Sequence, residues 1–146
     1  MEKFAEQLNQ IFYAQNEVYH RFAVKLKVTD MKYFILDLLL RRGEGISQTD
    51  LVRAAGFPKQ TVNTCCLRME EDGLLTHRTG PYHSKIMELT DKGREYGKQT
   101  VGRVQEIEDT IFESWTEEEQ SCFLALSKKY LSELEEKERS FPDGKA

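Results

Sequence analysis

Residues 47–75 read SQTDLVRAAGFPKQTVNTCCLRMEEDGLL, and this stretch decides the fold. Ser47 is suited to be a helix N-cap, and Asp50 stands at the third helical position, as in a capping box. Leu51, Val52 and Ala55 recur on one side of the short helix that follows, and Gly56 ends it. Pro58 suits the first position of the next helix, where its missing N–H costs nothing. That helix is expected over residues 58–72, with Gly73 as its stop. Val62, Cys65, Cys66 and Met69 are spaced for one buried face, leaving Lys59, Gln60, Asn63, Thr64 and Arg68 outside. Two short helices joined by a tight glycine-containing turn, the second polar on its outer face, form the helix-turn-helix pattern. The second helix of such a pair enters the major groove of duplex DNA, which is wide enough to admit it.

Outward from this core the pattern continues. Leu74–Thr79 and Ser84–Leu89 read as two short strands, and Gly80-Pro81-Tyr82-His83 supplies turn chemistry between them. The hairpin is a candidate wing. Arg78 and Lys85 are expected to face each other across it, an unfavourable pairing of like charges unless an anion lies beside them. Upstream, Thr29 or Asp30 caps a helix to about residue 41, with Phe34, Ile35, Leu38 and Leu39 on its apolar face. Arg41 and Arg42 complement its dipole, and Gly43 and Gly45 break the chain. Residues 2–26 form a first helix striped with Phe4, Leu8, Ile11, Phe12, Val18, Tyr19 and Phe22. Downstream, Thr90 caps one long helix to Trp115, and Thr116 with Glu119 opens a last helix to residue 137. These terminal stripes exceed what the central lobe can cover, so a second subunit is expected to cover them.

Composition agrees. The chain has 146 residues, 39% hydrophobic and 32% charged, the profile of a globular domain and not of a disordered chain. The net charge of −4 is unevenly spread: residues 1–100 carry 15 Lys and Arg against 13 Asp and Glu, and residues 101–146 carry 6 against 12. A mildly basic lobe with an acidic C-terminal third permits phosphate binding, which needs a local patch and not a basic whole. The longest apolar run, Tyr33 to Leu40, is interrupted by Asp37 and is too short to cross a bilayer, and no signal-peptide region precedes it. A cytoplasmic protein without membrane contact is expected. Three cysteines without a C-x-x-C spacing exclude a zinc ribbon or finger. Glu17 and His20 share a helix face, but no second ligand pair lies near them, so no metal is expected. No Gly-rich phosphate loop or nucleophile motif is present, which argues against an enzyme and against a cofactor.

The ordered set of motifs from Thr29 to Gly93 resembles the MarR family of winged-helix regulators. The likeness rests on Ser47-Gln48-Thr49-Asp50-Leu51, on Lys59-Gln60-Thr61-Val62, on Glu70-Glu71-Asp72-Gly73-Leu74-Leu75 and on Leu89-Thr90-Asp91-Lys92-Gly93. It implies a mainly α fold with a small β-hairpin wing, and a triangular dimer whose terminal helices interlock. Residues 1–146 would be a single MarR-like domain, with 29–94 as the winged helix-turn-helix lobe and 1–28 and 95–140 as dimerisation helices. It also implies a homodimeric, sequence-specific regulator on a pseudo-palindromic operator, commonly a repressor released by a small aromatic effector. Two features depart from the family. The wing tip lacks the usual Asp-x-Arg, and Thr64 and Leu67 stand where the family has arginine and a polar residue.

The residues expected to meet DNA are Ser47, Gln48, Lys59, Gln60, Thr61, Asn63, Thr64, Arg68, Arg78 and Lys85. Amides and small hydroxyls can read base edges, and Lys and Arg hold phosphates. The bland alternative for the helix residues is a solvated face. Tyr19, Phe22 and Phe34 are the candidate effector-binding residues, against a plain role in the dimer core. Cys65 and Cys66 are candidate redox residues, against packing as small apolar side chains. Cys122, beside Phe123, is assigned to a helix interface. Two other functions compete: a winged helix that binds protein, and a thiol-based redox-sensing regulator.

Overall fold

In the computed structural model, which describes residues 1–144, local capping sets most element boundaries. Thr29, Ser47, Thr90 and Thr116 each accept a backbone N–H from the residue three positions on, as their types predict. They open α2 (Asp30–Arg42), α3 (Gln48–Ala55), α5 (Asp91–Gln99) and α7 (Glu117–Arg139). The other elements are α1 (Phe4–Leu26), β1 (Ile46–Ser47), α4 (Lys59–Glu71), β2 (Leu75–Thr79), β3 (Lys85–Leu89) and α6 (Val101–Glu113). At Thr116 the capping box closes, with the Thr116 N–H donating to Glu119 Oε2 at 2.8 Å. At Ser47 only half of it forms. Asp50 is a methylene shorter than the glutamate of that motif, and its carboxylate takes Arg53 Nη1 at 3.2 Å. Pro58 is the N-cap of α4 and not its first residue.

The chain forms two compact units, residues 1–106 and 107–146. In the first, α2 runs through the core: Ile35, Leu36 and Leu39 are buried, together with Leu51 of α3, Val62, Cys66 and Met69 of α4, and Met87 of β3. Cys65, expected in the core, is only half-buried at its edge. The fold is mainly α with a small antiparallel sheet of order β1-β3-β2. The two residues of β1, which no pattern announces, pair with Ile86 and Met87 and tie the entry of α3 to the hairpin.

Two expectations are corrected. Arg78 and Lys85 do not face each other: Arg78 lies opposite Ile86, and Lys85 opposite Thr79. Ser84 joins the turn, its N–H and hydroxyl both donating to Pro81 O, and the pairing slips by one residue. Side chains alternate along a strand, so that slip sends the two cations to opposite faces. The long helix expected from Thr90 to Trp115 is also broken. Thr100 separates α5 from α6 at φ −113°, ψ −95°, its hydroxyl bonded back to Tyr96 O at 2.8 Å. That back-bond gives the backbone a local alternative to the helix ladder.

In the second unit, Trp115 packs edge-on against Phe112 and Phe123, with ring centroids 5.1 and 5.6 Å apart. Gln120 Nε2 donates to Phe112 O at 2.6 Å and holds the turn into α7. No residue of α7 is buried, and Phe123, Leu124, Leu126, Tyr130, Leu131 and Leu134 stand half-exposed along it. Cys122 is exposed. In the first unit α1 buries only Ala23. Among the described residues no helix is long and apolar enough to cross a membrane.

Candidate nucleic-acid interface

The helix-turn-helix is α3 and α4, joined at Gly56, whose φ of +65° is the left-handed conformation that favours glycine. Inward, Val62, Cys66 and Met69 lock α4 onto the core. Outward, Lys59, Gln60, Thr61, Thr64, Leu67 and Arg68 are exposed. Among the described residues no carboxylate lies within ion-pair distance of Lys59 or Arg68. Asn63 is half-buried, and its Oδ1 accepts Gln48 Nε2 at 2.5 Å, so the two amides act as one unit between α3 and α4. The Thr64 hydroxyl donates to Gln60 O at 2.8 Å and keeps only acceptor capacity outward. Ser47 is engaged as the α3 cap.

The wing carries its cations differently from the sequence expectation. Arg78 Nε donates to Glu88 Oε1 at 2.7 Å on the outer face of the hairpin. Lys85, on the other face and half-buried, reaches Glu70 of α4 at 3.8 Å. The same Glu70 oxygen lies 2.8 Å from His77 Nδ1 of β2. One carboxylate at the end of the candidate recognition helix thus holds a residue from each wing strand. Sequence reasoning missed this contact, because it depends on the register. At the wing tip Tyr82 and His83 both have left-handed backbone, φ +56° and +58°, and Tyr82 stands fully in solvent.

Two hollows flank α4. One, about 630 Å³, lies between the start of α2 and α4; Met31, Cys65 and Met69 contribute apolar lining, and Lys32, Arg68 and Asp72 contribute charge of both signs. The other, about 290 Å³, lies between α3, Lys59 and the wing turn. Neither is lined by Tyr19, Phe22 or Phe34. Phe22 and Phe34 pack on the flank of the core, and the Tyr19 ring lies 6.3 Å from that of Tyr33.

Burial pushes both neighbouring thiols up: Cys66 to about 11, and Cys65 in the same direction despite Lys32 and Arg68 nearby. A raised pKa keeps them as thiols, which are poor nucleophiles at neutral pH. His20 Nδ1 lies 2.9 Å from Asp30, while Glu17 pairs with Arg21, so Glu17 and His20 have separate partners. Among the described residues no group of three His, Cys, Asp or Glu side chains could hold a metal ion.

Residues 26–86 match the MarR family model. No curated protein sequence matches the chain. Among solved structures, the chain is similar to a MarR family regulator from Neisseria meningitidis, at 21% identity and TM-score 0.76, over 95% of this chain and 98% of that one. It is similar to Staphylococcus aureus MepR in a complex with DNA, at 20% identity and TM-score 0.70, over 90% and 96%. A third likeness is to a Mycobacterium tuberculosis MarR family protein in complex with p-aminosalicylic acid, at 20% identity and TM-score 0.62, over 88% and 98%.

Proposed function

From the match of residues 26–86 to the MarR family model we propose that the protein is a homodimeric transcription regulator that binds duplex DNA. The reading is carried by one observation: α4 is anchored on its inner face and presents Lys59, Gln60, Thr61 and Arg68 outward beside a hairpin wing. In the proposal α4 lies in the major groove. Gln60, Thr61, Thr64 and the Gln48–Asn63 pair read base edges, and Lys59, Arg68, Ser47, Arg78 and Lys85 approach phosphates. Leu67, 53% exposed on the same face, suits a thymine methyl group.

The homodimer is supported by the uncovered apolar faces of α1 and of α7, each of a kind that marks an interface. Such a dimer reads a pseudo-palindrome with half-sites about 34–36 Å apart. A ligand-responsive repressor is the regulatory part of the proposal. A similar protein is named for its complex with p-aminosalicylic acid, and a small aromatic acid is the effector class proposed here, docking beside Tyr19, Phe22 and Phe34. The redox alternative loses support from the raised pKa values of Cys65 and Cys66. Cytoplasmic location and the absence of catalysis belong to the same proposal.

The test is binding to the duplex upstream of its own coding region across a salt series. Counterion release makes log Kd vary with log salt at a slope of about 0.9 per phosphate contacted. An absence of salt-dependent binding would count against the DNA reading and favour a protein partner for α4. Sedimentation velocity checks the dimer: wild type runs as a dimer, and Leu131→Glu on α7 runs as a monomer with its helices intact.

A further inference from the structure

The smaller hollow beside α4 has a composition that the DNA-binding surface as a whole does not. Three elements meet there: Gln48 and Thr49 at the start of α3, Lys59 at the head of α4, and His83, Ser84 and Lys85 from the wing turn and β3. Two of these groups are ammonium groups, one from α4 and one from the wing, and the third is the wing's imidazole. The remaining lining is the neutral hydrogen-bonding Gln48, Thr49 and Ser84, with apolar Val52 of α3. Among the described residues the only carboxylate paired with these cations is Glu70, 3.8 Å from Lys85 Nζ. The other wing histidine, His77, has Glu70 as its partner at 2.8 Å, whereas among the described residues no carboxylate pairs with His83. The left-handed turn puts Tyr82 in solvent and leaves His83 at the hollow.

We propose that this hollow of about 290 Å³ is an oxyanion site that takes one phosphodiester of the DNA backbone, with His83 as its titratable third cation. The inference rests on the DNA-binding reading above. It adds that the wing, which lacks the arginine usual at its tip, grips the backbone with an imidazole and so makes DNA affinity depend on pH. Imidazole is the side chain that changes charge near neutrality. A phosphate held between Lys59 and Lys85 favours the protonated ring, and by linkage the protonated ring favours the phosphate. Facing His83 from the other elements are Lys59 of α4 and Lys85 of β3, both cationic, and the neutral Gln48 and Thr49 of α3.

The experiment uses the full-length protein and a labelled mixed-sequence duplex, with fluorescence anisotropy read across a salt series at about pH 6 and about pH 8. Acidification is expected to tighten wild-type binding and to steepen the salt slope by about 0.9, the contribution of one phosphate. His83→Gln removes both changes, and His77→Gln retains them. Lys59→Ala weakens binding at both pH values. A His83→Gln protein that keeps the full pH response overturns the proposal and leaves the DNA-binding reading intact. Wild type with a salt slope but no pH response does the same. If wild type shows no salt-dependent DNA binding at either pH, the DNA reading itself fails. Inorganic phosphate followed by the imidazole NMR resonances then decides the site: movement of the His83 signals keeps an oxyanion site with free phosphate as its source, and their constancy overturns it.

Discussion

Gly93 lies so close to Leu74 that a Cβ on it would sit 1.9 Å from the Leu74 carbonyl oxygen. Around that contact the Thr90 N–H donates to Leu74 O at 3.1 Å and the Thr90 hydroxyl to Gly73 O at 2.5 Å. The exit of the wing is therefore bonded to its entry, and α5 starts directly on that junction.

Gly93→Ala cannot be absorbed by a side-chain movement, because the obstructing atom is backbone. Overpacking of this kind costs about 1–3 kcal/mol or more. Urea denaturation should show the unfolding free energy falling by that amount, read as a lower midpoint at unchanged slope. An unchanged midpoint would mean that the Leu74–Thr90 junction yields easily.

Glu70 joins β2 and β3 to the end of α4 through His77 and Lys85. Glu70→Gln removes the charge from both contacts while keeping the side chain's size. Amide hydrogen exchange in β2 and β3 should accelerate relative to α2, since local opening free energy tracks local contacts. Equal protection in mutant and wild type would show that the sheet alone holds the wing.

Arg78 is engaged by Glu88 at 2.7 Å in the free protein, so it must exchange that partner to meet a phosphate. Glu88→Gln should tighten binding to duplex DNA of any sequence. Arg78→Ala should weaken it and reduce the salt slope by about 0.9. Neither should change stability by more than about 1 kcal/mol, as exposed ion pairs contribute little. Anisotropy titrations of the two variants, with the slopes compared, decide the matter.

The Cys66 thiol is raised by burial from 9.0 to about 11. Its folded-state value lies above the unfolded one, so its contribution to stability is complete below the unfolded value and is lost as pH rises through the folded one. Thermal unfolding should therefore show a decline between about pH 9 and about pH 11 that is shallower in Cys66→Ala than in wild type. At neutral pH a thiol reagent should label buried Cys66 more slowly than half-buried Cys65. Rapid labelling of Cys66 in the folded protein would restore the redox reading.

What the sequence by itself determined is what local chemistry decides. Thr29, Ser47, Thr90 and Thr116 cap their helices because each cap needs only a side-chain oxygen and an N–H three residues away. The two faces of α4 follow from its spacing alone, and with them most of the outward-facing residues on which the DNA proposal rests. What only the tertiary structure decided depends on chain segments far apart. The hairpin register turned on whether Ser84 belongs to the strand or to the turn, and that single step separated Arg78 from Lys85. β1 exists because β3 offers it an edge, since two residues carry no periodicity of their own. The interruption at Thr100 coincides with Gly97 and Gly102 lying against Leu40 of α2, a contact that no window of residues 90–115 contains. Glu70 and the Gln48–Asn63 pair are readable as polar residues, but their partners become visible only when α4, the wing and α3 are set beside one another.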